Sequence, residues 1–237
     1  AVADRDEREA MSREDRLIGD FRLVRKLGEG GMGIVYEAEQ QHPRRPVALK
    51  VIRGGAHVSP DTLKLFQREA STLARLRHAG IAALYETGAT EDGLHFFAME
   101  LVRGDTLGQW LRARPAGPMA PDELKLRLAI FKKICDAVAY AHQKGVIHRD
   151  LKPANVLIPK TSTGSSMSDA VPDIKVLDFG LARITDSDVQ AMTYVTEMGK
   201  VQGTLPYMSP EQVRGNPDEI DLRTDVYSLG VMLYEMV

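Results

Sequence analysis

From Phe21 onward the chain carries a succession of short strand-like runs. Phe21 to Leu27 leads into a glycine-rich turn, Gly33 to Ala38 leaves it, and Pro46 to Ile52 is a β-branched run. Asp61 to Arg77 then reads as an amphipathic helix, with Leu65, Ala70, Leu73 and Leu76 recurring near helical spacing. Two further strands fit Ala83 to Gly88 and Leu94 to Leu101, joined by the turn sequence Glu91-Asp92-Gly93. After Gly104 the period lengthens. Asp105 to Arg112 predicts a short helix and Asp122 to Lys144 a long one, whose Leu124, Leu128, Phe131, Cys135 and Val138 step along one face until Gly145 ends it. His142 and Cys135 read as packing residues of that helix. Short β-like runs at Val156 to Ile158 and Ile174 to Leu177 flank a Ser-, Thr- and Gly-rich insertion, Pro159 to Asp173, and residues 222 to 237 begin another helix. A strand-rich half followed by a helix-rich half, without an internal repeat, reads as two α+β lobes.

Composition narrows the class. At 237 residues, with 43% hydrophobic and 27% charged positions, the chain can bury a sizeable core and has an ordinary globular balance. A net charge of −2 gives no basic field for nucleic acid. The single cysteine, Cys135, excludes an internal disulfide framework and fits a reducing, cytoplasmic setting. No stretch approaches the roughly 18 apolar residues that span a bilayer, so no membrane contact is expected of this segment. Its N-terminus lacks the apolar core of a signal peptide. Residues 1 to about 18 are a mixed-charge run that reads as an extension or linker.

Gly28-Glu29-Gly30-Gly31-Met32-Gly33-Ile34-Val35 contains G-x-G-x-x-G-x-V. Glycine lets backbone approach phosphates closely. The same spacing occurs in dinucleotide-binding turns, but those open a helix, whereas Ile-Val-Tyr-Glu-Ala follows here and looks like a strand. A Walker A loop is unsupported, since Gly199-Lys200 is followed by Val201. Lys50 ends the apolar run Val47-Ala48-Leu49, 17 residues after Gly33. Strand lysines usually face solvent, but one so placed could reach the α- and β-phosphates, held by a carboxylate such as Glu69 from the following helix. Glu69 and Leu73 share a helix face.

His148-Arg149-Asp150-Leu151-Lys152-Pro153-Ala154-Asn155 is the most specific string in the chain, and Asp178-Phe179-Gly180 follows 28 residues after Asp150. With these motifs the sequence resembles the protein kinase family from Phe21 to Val237, in its two-lobed α+β fold, and looks most like bacterial kinases of the eukaryotic type. The resemblance implies residues 1–20 as an extension, 21–102 as an N-lobe with hinge, and 103–237 as a C-lobe. It implies ATP and Mg²⁺ as cofactors and Ser or Thr hydroxyls on proteins as acceptors, with self-phosphorylation through dimers. Asp150 would then accept or orient the hydroxyl proton, Lys152 neutralise the transferring phosphoryl, and Asn155 and Asp178 hold Mg²⁺. Leu27, Gly28, Gly30, Gly33, Val35, Ala48, Met99, Glu100, Val102 and Leu157 would line the nucleotide, with backbone groups of Glu100 and Val102 bonding adenine. Thr204, in Gly203-Thr204-Leu205-Pro206-Tyr207-Met208-Ser209-Pro210-Glu211, would contact Asp150 and Lys152.

Further implications follow the same resemblance. Thr193 and Thr196 become phosphosites facing Arg149, Asp225 secures the catalytic loop, and Leu73, Leu84, His148 and Phe179 form an apolar stack. Serine stands where the family's A-P-E has alanine. Because the family continues with more helices, one of which supplies an arginine, Glu211 is expected to lack its partner and the C-lobe to be incomplete. A pseudokinase is the rival from another class, but Lys50, Asp150 and Asp178 are all present. Lys152, Thr204 and Ser-Pro-Glu favour a protein over a small-molecule acceptor.

Overall fold

The computed structural model describes residues 17–30, 33–52, 72–90, 93, 95–114, 118–160, 171–179, 205–215 and 217–237. They gather into two compact units, one on residues 17–52 and Leu84–Leu101, the other on residues 72–83 and 102–237.

The first unit is an antiparallel sheet of six strands in the order β1-β2-β3-β4-β6-β5, comprising β1 (Leu17–Ile18), β2 (Phe21–Gly30), β3 (Gly33–Gln40), β4 (Arg45–Ile52), β5 (Leu84–Ala89) and β6 (His95–Glu100). The two-residue period decides which side chains are buried. Val47 and Leu49 of β4 pack with Phe21, Leu23, Ala38, Phe96 and Ala98. Within that cluster Phe21 and Phe96 meet edge to face at 5.3 Å, a geometry that adds roughly 0.5–1.5 kcal/mol beyond area burial. Ala48 and Lys50 alternate with Val47 and Leu49 and therefore belong to the opposite face. The sheet rim is tied by a polar chain. Arg45 donates to Gln40 at 2.7 Å and stacks over Tyr85 at 3.7 Å, and Gln40 donates to Glu86 at 2.8 Å.

The second unit holds a small antiparallel sheet, β7 (Gly104–Thr106), β8 (Val156–Pro159) and β9 (Lys175–Val176), together with α1 (Leu107–Arg112), α2 (Pro121–Gln143), α3 (Pro210–Arg214) and α4 (Arg223–Met236). Several helix ends have a local chemical cause. Thr106 and Gln109 close a capping box on α1, as Ser209 and Gln212 do on α3. Pro121 starts α2, where a missing N–H costs nothing. At its far end Gly145 takes φ 74°, Gly145 N–H donates to His142 O, and Val146 N–H to Ala141 O, a Schellman closure.

The buried side of α2 is Ile130, Ile134, Ala137, Val138 and Ala141. This corrects the stripe read from periodicity in part: Val138 is buried as expected and Phe131 and Cys135 are half-buried, but Leu124 and Leu128 are 37% and 43% exposed. Apolar side chains occur on two adjoining stripes of this helix, and period alone does not choose between them. The strand β7 and the helix α3 were not anticipated. Most of the helix expected over Asp61 to Arg77 lies outside the described residues, which show Thr72–Leu73 as its helical end.

The expected insertion is anchored on both sides of residues 161–170. On one side Lys160 N–H donates to Arg103 O, and its ammonium pairs with Asp105 at 3.1 Å. On the other, Lys133 of α2 donates to Val171 O, Pro172 O and the Asp173 carboxylate at 2.9–3.0 Å.

Candidate active site

Three glycines of the first unit divide by physical role. A Cβ at Gly33, where φ is 151°, would stand 2.0 Å from Val51 O, so the β3–β4 pairing itself demands glycine there. At Gly28 and Gly30 a Cβ would meet nothing within 4 Å. Their missing side chains leave the strand surface bare, which is what backbone needs to approach a phosphate. Register sets Gly28 opposite Val35 and Val35 opposite Lys50, a row across β2, β3 and β4. Lys50 is buried, at 6% exposure. Ala48 pairs with Met99 on β6, both half-buried, as is Glu100, while Leu27 is exposed. Glu69 lies outside the described residues.

In the second unit the His148–Asn155 string folds around Asp150. Lys152 Nζ lies 3.0 and 2.9 Å from its two carboxylate oxygens, and Asn155 Nδ2 donates to Asp150 Oδ2 at 3.0 Å and to Asp150 O at 2.8 Å. Both functions of the Asn155 amide nitrogen are thus spent on Asp150, leaving its amide oxygen as a hard donor. Among the described residues Arg149 and Asp178 are the non-glycine positions with positive φ, 69° and 58°. Such conformations are held only where surroundings over-determine them, and they cluster at functional sites.

The surroundings here are specific. Asp225, fully buried on α4, accepts the N–H of His148 and of Arg149 at 2.8 Å each and faces His142 Nε2 at 2.7 Å. Burial alone pushes that carboxyl up; the His142 bond and the two backbone N–H groups outweigh it and leave the pKa below the ordinary aspartate range. His148 bridges the two motifs. Its Nδ1 accepts Asp150 N–H at 3.2 Å and its Nε2 donates to Leu177 O at 2.7 Å, which fixes the Nε2–H tautomer. Its ring packs on Phe179 at 4.7 Å. Leu73 is buried in the same unit, whereas Leu84 belongs to the other.

Two contributors escaped the sequence reading. His142 bonds Asp225 rather than only packing its helix, and Gln212 donates to Arg149 O at 2.7 Å while accepting Ser209 N–H at 3.1 Å. The Ser-x-x-Gln spacing signals the cap of α3; nothing in it signals the second bond. Glu211, expected without a partner, accepts from Thr224 Oγ1 at 2.9 Å. Val102 and Leu157 are half-buried, and Leu157 pairs with Thr106. Thr193, Thr196 and Thr204 lie outside the described residues.

Comparison with known proteins bears on these features together. Residues 21–237 match the model of the protein kinase domain. The chain is 40% identical over 231 residues to the serine/threonine-protein kinase PknB of Mycobacterium leprae, covering 96% of this chain and 34% of that protein. It is 36% identical over 222 residues to the serine/threonine-protein kinase PrkC of Bacillus subtilis, covering 94% and 31%. The chain therefore spans about a third of the length of the curated relatives it matches. Among solved structures, the kinase domain of Mycobacterium tuberculosis PknI is similar with a TM-score of 0.67 at 27% identity, over 96% of this chain and 75% of that one. On the extent of the domain match, the identity to bacterial kinases and the likeness of fold, the chain belongs to the protein kinase family.

Proposed function

We propose that this chain is the catalytic part of a serine/threonine protein kinase, moving the γ-phosphate of Mg-ATP to Ser or Thr hydroxyls on proteins. The observation that carries the reading is the Asp150 carboxylate, held by Lys152 and Asn155 while His148 bonds its backbone N–H. A carboxylate pinned in this way is oriented for an acceptor hydroxyl. As that oxygen bonds to the γ-phosphorus and the β–γ bridging bond breaks to release ADP, Asp150 takes the hydroxyl proton and the Lys152 ammonium offsets charge on the phosphoryl oxygens.

The family uses ATP with a divalent metal. The donors here fit magnesium, which takes one or two protein oxygens and fills its remaining positions with phosphate and water. Asp178 and the amide oxygen of Asn155 would hold it, and the ion supplies neutralisation of phosphate charge. Gly28, Gly30 and Gly33 cover the phosphates, and Lys50, paired with Glu69, binds the α- and β-phosphates. Leu27, Val35, Ala48, Met99 and Leu157 pack on adenine, with Glu100 and Val102 offering it backbone hydrogen bonds. Thr204 steadies Asp150 and Lys152.

The proposed organisation is an extension over residues 1–20, an N-lobe with hinge over 21–102, and a C-lobe from 103. Phosphorylation of Thr193 or Thr196, read by Arg149 and arising within dimers, regulates the site. ATP as donor places the work in the cytoplasm.

Incubation of the protein with γ-labelled Mg-ATP and protein acceptors should label Ser and Thr, and Asp150→Asn should lower the rate by about 10²–10⁴-fold. Equal labelling by the variant overturns the assignment.

A further inference from the structure

Beside the catalytic loop the second unit contains a recess of about 170 Å³, bounded by α1, by Lys152 and Pro153, and by Tyr207. At roughly 30 Å³ per water it has room for one side chain. Its polar lining is almost wholly committed. The Lys152 ammonium bonds Asp150, the Thr106 hydroxyl accepts Gln109 N–H, and the Tyr207 hydroxyl donates to Glu235. Burial, then that carboxylate, pushes the Tyr207 pKa up, so it keeps its proton.

Arg112 is the exception. It is exposed in the last turn of α1, and among the described residues no carboxylate pairs with it. Among the described residues no acid lines the recess, and the neighbouring Asp105 is taken by Lys160. One turn earlier stands Gly108. A Cβ there would lie 3.4 Å from Arg112 Nη1 and 3.5 Å from Pro153 Cβ. Glycine costs roughly 1 kcal/mol against alanine inside a helix, and here its bareness keeps the recess open beneath the guanidinium. A cation in a short last turn also complements the helix dipole, but that does not account for the hollow beside it.

From this arrangement we infer a substrate subsite: Arg112 reads an Asp or Glu side chain close in sequence to the phosphorylated Ser or Thr. This rests on the kinase reading and names a substrate class for it. The guanidinium presents paired N–H donors matched to a carboxylate, Gly108 and Pro153 shape the walls, and the recess adjoins the lysine that contacts Asp150.

The test uses the full chain with Mg-ATP and peptide pairs differing only in one acid, against alanine, scanned through the positions flanking the acceptor. Each variant is scored by its own ratio of kcat/KM, so a reduced active fraction cancels. At the preferred position the acidic peptide should be favoured about threefold to fivefold, as an exposed ion pair allows, with the gain in KM. Arg112→Ala should bring the ratio to about one, and Arg112→Glu should invert it in favour of a lysine peptide. Gly108→Leu, which fills the hollow, should abolish the preference while Arg112 remains. Labelling with no acid preference, or a preference unchanged in Arg112→Ala, overturns the subsite and leaves the kinase reading intact. No labelling of any acceptor overturns both.

Discussion

At the residue scale, Asp225 shows how a charge is kept inside a protein. Its carboxylate is fully buried, and it stays ionised because the ring of His142 and two backbone N–H groups converge on it. Removing the acceptor strands donors whose desolvation costs about 1–3 kcal/mol each. The sign of the pH dependence follows from a folded-state pKa below the ordinary 3.8. Stability from ionised Asp225 is complete above the unfolded value and is lost as pH falls through the depressed folded one. Denaturant melts of the wild type and Asp225→Asn should therefore differ by a constant amount from neutrality down to about pH 4 and converge only below it, as pH falls toward the depressed folded value. A gap that stays constant below about pH 4 as well removes Asp225 from the acid response. The sequence identified this aspartate through its motif, but not its partner on α2, because a histidine 83 positions away carries no textual link to it.

At the element scale, the glycine-rich hairpin separates folding from chemistry. Gly33→Ala must push against Val51 O and should lower the melting temperature, at a cost of about 1–3 kcal/mol. Gly28→Ala and Gly30→Ala meet no atom and should leave that temperature within about 2 °C while raising KM for ATP, as side chains intrude where the phosphates are proposed to lie. Three equal melts refute the distinction. G-x-G-x-x-G text gives all three glycines the same weight; the register of β3 on β4 is what sets Gly33 apart. Strands were legible as short β-branched and apolar runs bounded by turn residues. The face of α2 was read only in part because burial there depends on which neighbours arrive, α4 among them, and local period contains no record of them. The strand β7 escaped because it is three residues long and pairs with β8, some fifty positions on.

At the scale of the whole molecule, the α+β class and the order of motifs were readable because the family's motifs are contiguous strings: Asp150, Lys152 and Asn155 sit within one loop and meet through short-range bonds. The supports of that loop are long-range, Asp225 and Gln212 among them, and only folding reveals them. Nucleotide binding should register globally. At a hundredfold excess over Kd, Mg-ATP adds about 2.7 kcal/mol, a rise of roughly 5–10 °C in melting temperature for a chain of this size, and Lys50→Met should suppress most of it. An undiminished rise in the variant would remove Lys50 from the phosphates. Lys133 and Lys160 have a practical corollary for the chain as a whole. Because ammonium groups moor both shores of residues 161–170, the length of what joins them is uncoupled from β8 and from Asp178, and doubling it costs only about 0.6 kcal/mol in closure entropy. That makes this stretch the natural splice point for a fluorescent reporter or affinity epitope that should leave the proposed activity intact.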